Sequence, residues 1–148
     1  MKKFARILAL MLVATMLCVM LVACAAKPAE DPNDAKAALE ENDYKVMHYE
    51  GLLLETISSS IGDGVTDVVM GTKGDDDMVL IVYFEDEEDA EKYYEKLDEE
   101  RTEEQKEIDE MEDGEEKDEL QEEFDKAVLG HSGKMVWAGT KDAVKAAK

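Results

Sequence analysis

The chain holds two thiols, Cys18 and Cys24, and two imidazoles, His48 and His131. Two cysteines are too few for a disulfide framework or a multi-cysteine zinc site. There is no C-x-x-C pair, which removes thioredoxin-like redox work. His48 and His131 lack H-x-x-x-H spacing and a partner cysteine, so neither is expected to ligate a metal. Ser58-Ser59-Ser60 lacks the flanking glycines of a nucleophile elbow and reads as helix-end and turn chemistry. His131 and Ser132 are sequence neighbours, which does not make them a dyad. No glycine loop of phosphate-cradling form is present. Gly62-Asp63-Gly64 and Asp75-Asp76-Asp77 lack the alternating oxygen ligands of an EF-hand. No catalytic residue, metal ligand or cofactor is therefore expected.

Cys24 is different because of what precedes it. Residues 1–6 (MKKFAR) are basic, and residues 7–23 form a run of 17 in which only Thr15 is polar. A basic stretch, an apolar run and a small residue before a cut point describe a secretory signal. The run ends Leu21-Val22-Ala23-Cys24. This resembles the lipobox of bacterial lipoproteins: an aliphatic residue, a small or aliphatic one, a small one, then an invariant cysteine. The resemblance implies a type II signal peptidase cut between Ala23 and Cys24, and a diacylglyceryl group on the Cys24 sulfur. Thiolate is the natural nucleophile for such an alkyl transfer. The two acyl chains of that group would give stable anchoring, where one chain alone is marginal. The mature protein would lie on the extracytoplasmic side of the cell membrane, with Cys18 discarded in the signal.

With 148 residues the chain has room for one domain. It carries 17 Lys+Arg against 38 Asp+Glu, a formal charge of −21. Loss of Lys2, Lys3 and Arg6 with residues 1–23 would take this to −24. Such a balance argues against nucleic acid, which is bound by clustered cations.

The expected division is residues 1–23 as signal peptide, 24–33 as lipidated cysteine and tether, and 34–148 as one α+β domain. Both prolines fall in the tether. Residues 34–42 suit a short helix capped by Asn33 or Asp34. Residues 44–49 alternate as a strand, and Leu53, Leu54, Ile57 and Ile61 recur at helical spacing. Residues 65–73 read as a strand and 74–77 as a hairpin turn. Residues 78–84 (MVLIVYF) are seven apolar residues in a row, the pattern of a strand buried on both faces. A helix follows, then a turn at 130–133, a strand at 134–139 and a last helix capped by Thr140. Setting aside the first and last helices, the order is strand, helix, strand, strand, helix, strand. This resembles the ferredoxin-like split βαβ fold, an antiparallel four-stranded sheet with two helices on one face.

Residues 85–125 hold 24 Asp/Glu and 5 Lys/Arg, and so −19 of the charge. The apolar stripe Ala90, Tyr93, Leu97 stops where Arg101 and Glu104 would have to continue it, and resumes at Leu120 and Phe124. Two helices hinged at Asp113-Gly114 are expected, forming a long acidic helical arm. Glu95–Glu99, Glu99–Glu103, Glu103–Glu107 and Glu115–Glu119 are like-charge i,i+4 pairs, each costing about 0.2–0.5 kcal/mol in an isolated helix.

The chain is also similar to small lipoproteins of Gram-positive bacteria. The likeness lies in the lipobox, Tyr83-Phe84-Glu85-Asp86, the acidic helix, and the tail Gly133-Lys134-Met135-Val136-Trp137-Ala138-Gly139-Thr140-Lys141. It implies no activity and transfers no functional residue beyond Cys24. The expected role is non-enzymatic: a lipid-anchored domain that binds or supports an envelope partner. Two alternatives stand beside it. One is a carboxylate-dependent hydrolase of cell-wall polymer, which needs two carboxyls in an apolar cleft with one pushed up. The other is a weak divalent-cation binder working through the acidic segment.

Overall fold

The computed structural model describes residues 26–148. In chain order the elements are α1 (Pro32–Glu41), β1 (Lys45–Tyr49), α2 (Gly51–Ile61), β2 (Val65–Lys73), β3 (Asp77–Phe84), α3 (Glu87–Glu110), α4 (Glu115–Lys126), β4 (Ala127–Ser132), β5 (Met135–Thr140) and α5 (Lys141–Ala146). The five strands form one antiparallel sheet in the order β1-β2-β3-β5-β4. The protein is thus α+β.

The apolar run in β3 sits at the centre of this sheet. Successive side chains of a strand point to opposite faces. Val79, Ile81 and Tyr83 join Val69, Met135 and Trp137 on one face, under Ala35 and Leu39 of α1 and Ala143 and Val144 of α5. Val82 and Phe84 join Val68 and Val136 on the other, under Leu54 of α2 and Ala90, Tyr93 and Leu97 of α3. Ile81 and Val82 are both fully enclosed. Each such aliphatic side chain contributes about 1.5–3 kcal/mol through burial.

The split βαβ expectation differs from this arrangement in three ways. It places the third strand between the first two, but β1 pairs with β2 directly, from Lys45↔Thr72 to Tyr49↔Val68. It sets helices on one face, but α1 and α5 cover the second face that a doubly apolar β3 requires. It lacks β4, whose residues read as helix end and turn. Gly130 suggests a turn but lies inside β4 opposite Trp137. A Cβ there would come within 2.2 Å of the indole ring, so only glycine leaves room for the tryptophan.

Residues 26–31, expected as tether, are packed. Pro28 is fully buried, and Ala26 and Ala29 lie against the first core. The Ala29 N–H donates to the Ala147 carbonyl at 2.7 Å, and the Tyr83 hydroxyl donates to the Ala29 carbonyl at 2.9 Å. The Asp31 carboxylate caps α1 by accepting from the Asn33 N–H, with Pro32 in the first turn.

The acidic segment forms α3 and α4, joined through residues 111–114. Asp86 caps α3 by accepting from the Asp89 N–H, and three acidic residues in its first turn suit the positive end of the helix. Arg101 continues the inward stripe by laying its guanidinium over the Phe124 ring, 4.7 Å from the centroid. Its long stem is apolar and its charge faces a π-cloud, so arginine can serve where an aliphatic residue is expected. Ile108 and Phe124 form a small third core with Leu120 and Ala127. Gln105 and Gln121 exchange amide hydrogen bonds between the helices. Lys117 of α4 reaches the Asp109 and Met111 carbonyls and the Asp113 carboxylate, placing a cation at the C-terminal end of α3.

Glu104 is the costly residue of this pair. Burial first, and Glu107 second, push its carboxyl up to about 7, against the pull of Arg101. A raised carboxyl favours the protonated folded form. Its contribution is complete below the ordinary glutamate range and is lost as pH rises through about 7. Since Glu104 is only half-buried, solvent screening reduces the effect to about 1–2 kcal/mol. Glu104→Gln is expected to raise stability at pH 8 by about 1 kcal/mol, and to flatten the fall expected between pH 5 and 8 in urea titrations. Gly130→Ala is expected to cost about 1–3 kcal/mol in the same measurement, because the indole has to move.

Candidate functional site

The residues singled out by type lie apart. Ala23 and Cys24, with the whole signal segment 1–23, fall outside the described residues. Ser59 and Ser60 are exposed on α2. His131 lies on β4, its Nε2 2.9 Å from the Gly133 carbonyl and its ring 5.6 Å from that of Tyr94. Asp75 and Asp76 are exposed at the β2–β3 hairpin. Among the described residues no helix is long and apolar enough to cross a membrane.

Asp77, the third of the aspartate triplet, does structural work. It begins β3 and accepts hydrogen bonds from the Tyr44 hydroxyl and the Thr140 hydroxyl. Tyr44 precedes β1, and Thr140 caps α5 by accepting from the Ala143 N–H. One carboxylate therefore joins three elements. Burial, then the bond to Asp77, drives the Tyr44 hydroxyl well above the ordinary tyrosine range, so it stays a donor.

The second polar group surrounds Asp67. Its strand carries a bulge at Thr66, where the β2–β3 register shifts between Val65 and Asp67. Bulges re-aim side chains and are common beside functional sites. Asp67 Oδ1 lies 2.9 Å from His48 Nε2 of the neighbouring strand, with side chains 21% and 9% exposed. Glu50 stands two residues beyond His48, on the same face of the chain. It occupies the N-cap position of α2, yet its side chain caps nothing. Ligand atoms of His48, Glu50 and Asp67 all lie within 4.8 Å of one another. One imidazole and two carboxylates is a donor set able to hold a divalent ion, or to hold the imidazole in one orientation for proton exchange.

Asp67 also lines a cleft of about 440 Å³, together with Glu30, Tyr83, Glu87, Ser132 and Lys134. Burial drives the Tyr83 hydroxyl up, and it donates to Ala29. Lys27, by hydrogen bond and charge, holds the exposed Glu30 carboxyl below its ordinary range. Glu104 and Asp98, the carboxyls that burial raises, are on α3 and do not line the cleft. The cleft carries the carboxylates of Glu30, Asp67 and Glu87 beside the Lys134 ammonium.

Reading by motif missed the His48 group because its spacing is not local. H-x-E at 48–50 was visible, and alternation puts both side chains on one face. The third member arrives only through the pairing of β1 with β2, which the split βαβ order does not make.

Asp77→Ala would leave two partly buried hydroxyls without their acceptor. It is expected to lower stability by about 2–4 kcal/mol, and Asp77→Asn by less, since an amide oxygen can still accept. Urea denaturation of the two variants reads the difference.

No family model, no curated protein and no solved structure matches this chain.

Proposed function

We propose that this chain is a bacterial lipoprotein: a domain tied by acyl chains on Cys24 to the extracytoplasmic face of the membrane, with a non-enzymatic binding or supporting role at the envelope. The observation that carries the reading is Leu21-Val22-Ala23-Cys24 at the end of a 17-residue apolar run behind a basic start. The packing of residues 26–31 gives the anchor a mechanical meaning. Cys24 is two residues from Ala26, which lies against the first core. Two residues reach about 7 Å at most. An anchored domain would therefore sit on the lipid surface with residues 26–31 and α5 beside it, held close without a long tether. The acidic helices in 85–125 form the arm of this reading, kept off an anionic surface by their own charge.

The partner is an envelope protein or ligand, and nucleic acid is a poor fit to a charge of −21. Cys24→Ser tests the anchor. Mass spectrometry of the wild-type protein from membranes is expected to show an N-terminus at Cys24 carrying a diacylglyceryl mass. The serine variant is expected to remain uncut and to lose that mass. An uncut wild-type N-terminus, or unchanged processing in the variant, overturns the reading.

A further inference from the structure

We propose that His48, Glu50 and Asp67 form a binding site for one divalent transition-metal ion of the zinc class. This goes beyond the anchoring reading and does not rest on it. Three ligand atoms already lie within 4.8 Å of one another. Metal–ligand bonds of about 2.0–2.2 Å place tetrahedral ligands about 3.3–3.5 Å apart. The 2.9 Å contact of His48 Nε2 with Asp67 Oδ1 therefore has to open by only a few tenths of an ångström for an ion to replace the hydrogen bond. Glu50 is exposed and caps nothing, so its carboxylate is available to close on the ion from the solvent side. Two of the three ligands are carried by paired strands and the third follows β1 directly, which gives the site a firm base.

The donor types narrow the ion. An imidazole nitrogen suits zinc, nickel and cobalt, whereas calcium and magnesium take oxygen ligands almost exclusively. Three protein ligands leave at least one coordination position for water or a bound molecule. Asp67 faces both the site and the 440 Å³ cleft, so that position is near the cleft.

The test is titration of the purified full-length chain in detergent with zinc chloride, in the presence of millimolar calcium chloride to occupy surface carboxylates. One zinc per chain is expected, with an affinity that calcium leaves unchanged. Glu50→Gln is expected to weaken binding at least tenfold, and His48→Gln and Asp67→Asn to abolish it. Glu115→Gln with Glu119→Gln, on α4, is expected to leave it as in the wild type. Cobalt(II) in place of zinc is expected to give visible absorption bands that shift in the His48 variant. Glu50→Gln keeps the outcome decisive where a buried-ligand variant fails to fold. Zinc uptake equal in wild type and Glu50→Gln, or displacement of zinc by calcium, overturns the proposal.

Discussion

The constraint on which the fold depends is that β3 must be covered twice. Val79, Ile81 and Tyr83 point one way, and Val82 and Phe84 the other, so an open face on either side would expose a row of aliphatic and aromatic surface. One pair of helices, α2 and α3, covers one face. Covering the other takes both ends of the described residues: α1 with the packed residues 26–31, and the short α5. Six residues are few for a helix to persist in water by itself. α5 persists because Thr140 caps it, and because Asp77 ties that threonine to β3 and to Tyr44. The layer made by the ends is therefore held by one carboxylate as well as by apolar contact.

A chain of this charge also has to fold two acidic helices. Apolar contact between the two is confined to Ile108, Phe124, Leu120 and Ala127, and two of the cations serve twice. Arg101 covers Phe124 and its charge acts on Asp98 and Glu104; Lys117 stabilises the end of α3 and pairs with Asp113. Exposed i,i+4 pairs such as Glu88–Lys92 and Glu122–Lys126 add a little each, in the range of a few tenths of a kcal/mol. Glu104 shows where this economy falls short, since it is half enclosed and has Glu107 for a neighbour.

Much of the local chemistry was legible in the residues, although α1 is capped by Asp31 and not by the expected Asn33 or Asp34, which lie inside it. β2 runs over 65–73 as expected, Thr140 caps α5, and the acidic stretch breaks into two helices around Asp113-Gly114. What was not legible depended on contacts made at long range. Nothing near Gly130 in sequence announces that Trp137 will occupy the space of its side chain, so β4 reads as a turn. Nothing in residues 26–31 announces that Tyr83 and Ala147 will bind their backbone. The strand order is also a long-range matter. Helical spacing in α2 is compatible with a crossover to a distant strand or a return to the adjacent one, and the chain takes the second course.

That choice of neighbour decides which polar side chains meet at the margin of the first core. With β1 beside β2, His48 stands against Val69 and one step from Asp67; beside any other strand, the imidazole would meet different chemistry. The bulge at Thr66 then turns Asp67 toward both His48 and the cleft. Glu30 and Pro32 line the same cleft, and Ala29 holds Tyr83 within it, so the segment that follows Cys24 forms part of its wall. The wall residues Glu30 and Pro32 stand six and eight positions after Cys24 in the chain. The anchor proposed on that cysteine would therefore keep the cleft within a short reach of the lipid surface.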